Sequence, residues 1–311
     1  MLENYSPWHA GERALHQQLG ITEKMEAVGQ RAIRNFMPDQ HREFFSQLPF
    51  ILAGSTDAAG QIWASMLTGA PGFISSPSPT ELDIHAMPME GDPLAEAIAP
   101  GRSFGMLGIE LPTRRRNRAN GKITTAGKSG FSFAVEQSFG NCPKYIVRRA
   151  YAAGEGLTSE FAAPKVELLS KLDANARALI ANASTFFVAS SAGPASLSDV
   201  SHRGGLPGFV TITNDTLTIP DYSGNFFFNT FGNLLVNPFA GLLFPDFDTG
   251  DLLQLTGETV LIEDESTKAF TPGAGSSWRF HPTAGRWLHG AMQLRFSKGE
   301  MSPFSPQLSP N

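Results

Sequence analysis

Cysteine is all but absent: Cys142 is the only one in 311 residues, which excludes an intrachain disulfide and any multi-cysteine metal site. Basic charge is not in excess either. Lys and Arg number 24 against 29 Asp and Glu, for a net charge of −5, so bulk electrostatics give no support to a nucleic-acid partner. Long apolar runs are missing. The best candidate, 234–247, is cut by Asn237, Pro238, Pro245 and Asp246, short of the ~18 apolar residues that signal a membrane helix. Met1-Leu2-Glu3-Asn4 has no basic segment and no apolar run follows it, so a soluble, cytoplasmic protein is expected. The histidines at 9, 16, 41, 85, 202, 281 and 289 show no paired ligand spacing, and no metal is expected. There is no Gly-x-Ser-x-Gly elbow. Gly121–Ser129 resembles a phosphate loop, but it has one residue too many between its glycines, and 131–135 reads as strand where a helix is required.

Glycine and proline, by contrast, are plentiful at 31 and 22, and phenylalanine supplies 24 residues against four each of tryptophan and tyrosine. That mixture favours many short strands and turns over long helices. An internal repeat organises them. Laying 50–73 on 186–209, a shift of 136, gives nine identities in 24 positions. Phe50 meets Phe186, Ser65 meets Ser201, and both stretches end in Gly-x-Pro-Gly-Phe. The same shift carries Gly105 onto Gly241 and Gly121 onto Gly257, while Leu82 meets Leu217 at 135. Two copies of one β-rich unit follow. Predicted strands in the second copy are 185–189, 197–203, 209–213, 216–219, 225–229, 241–244 and 251–256, the spacing of a barrel or sandwich. Helical spacing of Ile21, Met25, Val28, Ala32, Ile33 and Phe36, stopped by Pro38, predicts a helix before copy one; Asp173 caps another before copy two. The expected organisation is a helical segment at 1–39, a first repeat at 40–150, a connecting helical segment at 151–183, and a second repeat with its tail at 184–311. From Pro303 onward the tail is expected to be mobile or to lie along the surface.

Three stretches carry candidate chemistry. On a strand, Asp199, Ser201 and Arg203 share one face, and Gly204 and Gly205 follow. A hydroxyl beside a guanidinium suits an anionic oxygen cluster, and glycine lets a ligand approach the backbone. At the shift of 136, copy one has Trp63 and Leu67 where copy two has Asp199 and Arg203. The reciprocal asymmetry is Arg114, Arg115, Arg116 and Arg118, within an acidic chain; of these Arg114, Arg116 and Arg118 are expected on one strand face. The run is either a solvated face or, if the copies pack about a pseudo-twofold axis, half of a composite anion pocket; two degenerate sites are the other arrangement. The third stretch, 221–233, offers Asn225, Asn229, Thr230 and Asn233 around an aromatic strand and a possible helix start. Phe226 and Phe228 are expected in the core, and Cys142 as a small buried residue.

Several long strings now coincide. They are Ser6-Pro7-Trp8-His9 with Gly11-Glu12, Met37 through Arg42, Thr113 through Arg116 with Arg118 and Asn120-Gly121, Gln137 through Ile146, Asp199 through Gly205, and Asp221 through Asn225. In these the sequence resembles the pyridoxamine 5′-phosphate oxidase-like FMN-binding split-barrel proteins, in particular their long tandem-repeat members, over nearly the whole chain. The resemblance implies a mainly β fold with flanking helices, two tandem Greek-key split barrels, with FMN near the interface between barrels. It implies phosphate contacts from Arg203 and the Asn229-Thr230 turn. The basic pair that follows this turn in the oxidases is missing, since Asn233 is followed by Leu234 and Leu235. The arginine strand of copy one is therefore expected to supply the balance. The expected cofactor set is Asp199, Ser201, Arg203, Gly204, Asn225, Asn229, Thr230, Asn233, Arg114, Arg116 and Arg118, with no catalytic residue assigned. The implied function is an FMN-dependent oxidoreductase acting with a small redox substrate or electron donor. The alternative is a non-catalytic flavin or haem binding or sensing protein. A homodimer is possible beside the intrachain pseudo-dimer.

Overall fold

A computed structural model describes residues 6–151, 165–263, 269–273 and 275–306. The start of the expected connecting segment, 152–164, and the last five residues of the tail lie outside the described residues. Three helices come first: α1 (Ala10–Gln18), α2 (Thr22–Ala32) and α3 (Asp39–Ser46). Strands β1 (Phe50–Thr56), β2 (Ile62–Thr68), β3 (Ile74–Ser78) and β4 (Glu81–Ile84) precede a single helical turn, α4 (Leu94–Ala97), and then β5 (Ser103–Glu110), β6 (Arg115–Ala126) and β7 (Phe131–Gly140). After β8 (Lys165–Leu169) and α5 (Ala174–Asn182) the pattern returns with β9 (Thr185–Ser191), β10 (Ser198–Gly204), β11 (Thr211–Thr213) and β12 (Thr216–Pro220). Helix α6 (Asn229–Val236) then leads to β13 (Phe239–Pro245), β14 (Leu252–Leu261) and β15 (Ser277–His289).

The fold is mainly β, with two antiparallel sheets and flanking helices. One sheet runs β2-β1-β5-β6-β7-β4-β3 and the other β10-β9-β13-β14-β15-β12-β11, the same order strand for strand, with β8 added against β15. Both long central pairings slip register at corresponding points, between Asn120 and Gly121 in one and between Thr256 and Gly257 in the other. The gapless alignment fails on one strand. Phe50 faces the opposite sheet whereas Phe186 lies in the core of its own; Ile51 is the residue that occupies the place of Phe186. The reason is the hairpin, since the loop 192–197 is one residue longer than 57–61.

Four apolar clusters form among the described residues, a small one of Trp8, Met25, Phe139 and Phe227 under the N-terminal helices and three larger ones in and between the sheets. Ile51, Leu67, Phe104 and Phe133 fill the first sheet, and Phe186, Leu242, Trp278 and Phe280 fill the second. Leu52, Ile62, Leu107, Phe187, Val200 and Leu243 form the layer between them. Each such side chain contributes about 1.5–3 kcal/mol on burial, and strands apolar on both faces read as continuous runs because both faces are covered. Two glycines set how closely the sheets approach. A Cβ on Gly105 would lie 2.5 Å from the Ser198 carbonyl oxygen, and one on Gly241 would lie 2.6 Å from that of Ile62. The contacts are reciprocal, each sheet's glycine receiving the backbone of the other.

Helix α2 stops at Ala32, short of the predicted Phe36, because Ile33 turns extended and Arg34 pairs with Ser138. Pro38 then begins α3 instead of merely ending α2. Asp173 caps α5 as expected, its Oδ1 accepting from the Ala176 N–H at 2.6 Å. The expected strand at 225–229 does not form: Phe226 and Phe228 both have positive φ, 62° and 56°, and α6 starts at Asn229. Left-handed residues on either side of Phe227 break the extended run, and Phe227 is buried while Phe226 is 45% exposed. Among the described residues no helix is long and apolar enough to cross a membrane, and no cluster of His, Cys, Asp or Glu could hold a metal ion.

Candidate functional site

Strand β6 of the first sheet meets β10 and α6 of the second, and an open cleft lies between them. Arg116 and Arg118 come from β6, Ser201, Arg203 and Gly204 from β10, Asn225 from the loop before α6, and Asn229 and Thr230 from the start of α6. Eight of the eleven expected residues therefore share one cleft, with both sheets contributing.

The other three stand elsewhere. Arg114 precedes β6 with φ 59°, which breaks the strand alternation and turns its side chain away. Its Nε donates to the Ile146 carbonyl at 2.9 Å and its Nη2 to that of Met301 at 3.1 Å, holding the C-terminal tail against the body. Asp199 is buried behind Arg118, 3.0 Å from its Nε. Asn233 is buried one turn along α6 and donates to Ser190 Oγ at 3.0 Å.

The arginines in the cleft differ in what holds them. Arg118 is fully committed. Its Nη1 donates to Asn229 Oδ1 at 2.6 Å, and its Nη2 to the Val200 carbonyl at 3.0 Å and Ser201 Oγ at 2.7 Å. With Asp199 it forms a buried strut between the sheets, its stacking face 5.1 Å from the Phe139 ring. Arg203 donates from Nη1 to Asp221 Oδ1 at 2.9 Å and lies 4.7 Å over the Phe231 ring. Arg116 has no carboxylate partner among the described residues: its Nε donates to the Cys142 carbonyl at 2.8 Å. Burial, and then repulsion from Arg118 and Arg203, push its guanidinium down to about 9. That cost is one an anion in the cleft would remove.

Helix α6 adds a second source of positive potential. Its N-cap is the left-handed Phe228 and no side chain caps it, so the first N–H groups of the helix, at Asn229 and Thr230, are available to an anion. His202, on the opposite face of β10, is buried, and burial together with Arg116 and Arg203 holds it well below the usual imidazole range, so it stays neutral. Burial raises the Asp221 carboxyl, with Arg203 and the Gly273 N–H opposing. The mouth is aromatic. Tyr145 and Tyr222 pack with ring centroids 5.2 Å apart, and Phe226 and Phe228 stand beside them. Cys142 is half-buried at the same wall, not enclosed in a core.

Helix α1 completes the site, although nothing in its composition marked it as functional. His9 and Glu12 form a reciprocal capping box, and that spacing is the signal that could have located it. Glu12 Oε1 accepts from Asn229 Nδ2 at 2.6 Å, so both ends of the Asn229 amide are fixed. His16 Nε2 donates to the Phe226 carbonyl at 2.7 Å, pinning the strained loop. The helices touch through glycine: a Cβ on Gly11 would lie 1.9 Å from the Gly232 carbonyl oxygen.

No family model and no curated protein matches the chain. Solved structures similar to part of it include a protein from Clostridium acetobutylicum related to general stress protein 26 of B. subtilis, of the pyridoxinephosphate oxidase family. It is 12% identical, with 40% of this chain and 92% of that one covered and a TM-score of 0.28. The FAD binding protein from Mycobacterium smegmatis is 15% identical over 39% of this chain and 99% of its own, at a TM-score of 0.27. HutZ, the haem storage protein from Vibrio cholerae, is 13% identical over 39% and 96%, also at 0.27.

Proposed function

We propose that the cleft binds a flavin mononucleotide and that the protein is an FMN-dependent oxidoreductase. The observation that carries this reading is the convergence of Arg116, Arg203 and the uncapped start of α6 on one space, with Asp221 as the single lining carboxylate among the described residues. Such a donor set fits a phosphate, and each charge-assisted contact contributes roughly 1.5–3 kcal/mol. The sequence resemblance supplies the choice of FMN among phosphorylated ligands. The two sheets then act as two copies of one unit, whose contact makes the pocket within one chain.

Arg116 and Arg203 hold the phosphate in this reading, with the Asn229 and Thr230 N–H groups at its other side. Arg118, Ser201 and Asp199 do not contact it; they lock β10 against β6 so that the two arginines face each other. Tyr145, Phe226 and Phe228 wall in a planar ring and exclude water from it. The flavin, when bound, supplies hydride or electron transfer, and the protein sets access and electronics.

A second reading, binding without turnover, is favoured by one feature. Asp221 is tied to Arg203 and His202 is buried and neutral, so neither is poised to exchange protons with a substrate. Both readings meet the same test. The protein is titrated with FMN, and the bound flavin is then exposed to NAD(P)H and to candidate acceptors. Reduction and reoxidation support the enzyme, a bound flavin that resists reduction supports the binding protein, and failure to take up FMN removes both.

A further inference from the structure

The segment that follows β7 and the segment that follows β15 pair with each other outside the two sheets. Arg148 and Glu300 exchange both backbone hydrogen bonds at 2.8 Å, and the Ser297 N–H donates to the Ala150 carbonyl at 2.8 Å. Beyond this short ladder the C-terminal tail stays on the body. Arg114 Nη2 donates to the Met301 carbonyl at 3.1 Å, and Phe304 lies 5.7 Å from Lys144 Nζ. Between them Ser302 is 4% exposed. Its hydroxyl oxygen accepts two backbone N–H groups, from Tyr145 at 3.1 Å and from Phe304 at 3.3 Å. The first of these belongs to the wall of the cleft, to which Asn141, Cys142, Lys144 and Tyr145 contribute.

Tyr145 has a φ of 66°, a left-handed conformation unfavourable for a residue with a side chain, so its surroundings must impose it. They do so from three directions. Its N–H is taken by Ser302 of the tail. Its carbonyl is seated on β10, where a Cβ on Gly204 would lie 2.1 Å from the oxygen. Its Oη donates to the Ser223 carbonyl at 2.9 Å, and its ring packs on Tyr222. The side chain thus ties the segment after β7 to the loop before α6 at the mouth of the cleft. Burial, and then Asp221 and Cys142, raise the phenol, so it stays protonated and keeps donating at neutral pH.

We propose that Ser302 is a positioning residue for the cleft: from the C-terminal tail it sets Tyr145, and Tyr145 ties the two walls together. The tail is thereby a strap on the site. Arg116 and Arg114 hold the carbonyls of Cys142 and Ile146 on either side, so the place left to the tail is Tyr145 itself. A hydroxyl suits the position because its oxygen accepts from two N–H groups at once. One consequence rests on the flavin reading. A bound ring would lie against Tyr145, so the strap governs how quickly the flavin leaves more than how quickly it arrives.

Acetylation of tyrosine hydroxyls by N-acetylimidazole, read by peptide mass spectrometry on the full chain, tests the strap without any ligand. Tyr151, at the far end of the tail's ladder, is the internal reference. Ser302→Ala should raise the rate at Tyr145 roughly fivefold, the factor expected of one lost hydrogen bond, and Ser302→Thr should leave it near the wild-type value. FMN release, followed by displacement, should quicken by about the same factor in Ser302→Ala and in Tyr145→Phe, and by no more in the double variant. Unchanged acetylation in Ser302→Ala, or failure of threonine to keep the wild-type rate, would overturn the proposal. Additive effects on release in the double variant would overturn it too, since Ser302 would then act by another route. A wild-type chain that takes up no FMN removes the flavin reading alone, because acetylation still decides the strap. Should Ser302→Ala melt early, Ser302→Cys, of similar size and with a weaker acceptor, takes its place.

Discussion

The cleft has a counterpart on the opposite side of the molecule, and the two have gone separate ways. In the cleft, Arg118 reaches from β6 across to the Val200 carbonyl and Ser201 Oγ of β10. In its counterpart, Gln254 reaches from β14 across to the Ala64 carbonyl at 3.1 Å and Ser65 Oγ at 2.9 Å of β2. All three pairs of residues differ by the same 136 positions. Asp92 stands before α4 as Asn229 stands at the start of α6, and accepts from Gln254, Ser65 and the Leu94 N–H. The hydrogen-bond scaffold is thus shared, and the filling is not. Trp63, Leu67 and Leu252, all buried, take the places of Asp199, Arg203 and Arg116. Arg286 closes the outside by stacking 4.7 Å over Trp63. The same interface can be sealed with apolar side chains; the other half is left cationic and hollow, and it is there that the proposed flavin would sit.

The sharpest way to break this equivalence is to remove each reaching side chain. Arg118→Met leaves Asp199 buried without its partner and should cost roughly 3–5 kcal/mol, whereas Gln254→Met should cost only about 1–3 kcal/mol. Urea unfolding reads both, and equal losses would mean that the Arg118 strut is no more than a scaffold contact. Next comes a crossed pair. Leu252→Ala should lower stability by about 2–5 kcal/mol without affecting FMN. Arg116→Ala should lower FMN affinity tenfold or more, matching roughly 1.5–3 kcal/mol, and leave stability nearly unchanged. If Arg116→Ala binds FMN normally, Arg116 takes no part in holding the flavin phosphate.

The pH dependence of stability comes third. Burial raises Glu12 from 4.5 to about 8, so the folded protein holds a proton there that the unfolded chain has lost. Stability is therefore highest below about 4.5 and falls as pH rises towards 8, by up to about 1.4 kcal/mol per unit from this group. Glu12→Gln should flatten that slope in thermal unfolding across the range. Asp92, also raised by burial, keeps a part of the slope on the sealed side. The smallest effect concerns the shared hydroxyls. Ser65→Ala and Ser201→Ala should each cost about 1 kcal/mol, and a difference much larger than that would show that the two scaffolds are not equivalent.

Much of this was legible before any coordinates. The shift of 136 marked Gly105 and Gly241, two points of close approach between the sheets, and it paired Ser65 with Ser201. Repeats show in sequence because glycine and small polar residues at fixed spacing answer to backbone geometry, which is local. Arg116 and Arg203 were likewise visible as charge against an acidic background. Arg114 was misplaced because a single left-handed residue inverts the alternation that strand reasoning assumes. Asn225–Asn229 failed for the same reason, an apolar run whose backbone twists at Phe226 and Phe228. Helix α1 was missed as part of the site because its partner residues lie more than 200 positions away.

By itself, then, the sequence determined a β-rich chain with two stretches related by a shift of 136, the strands' turn residues, and an imbalance of charge between those stretches. Those properties follow from near-neighbour sterics and composition. Only the tertiary structure decided which arginines are committed and which are free. Arg118 and Arg116 are two residues apart on one strand face, yet one is neutralised by Asp199 and the other has no counter-ion among the described residues. That distinction depends on which carboxylate the opposite sheet brings within 3.0 Å, and contacts across an interface are set by packing, not by order along the chain.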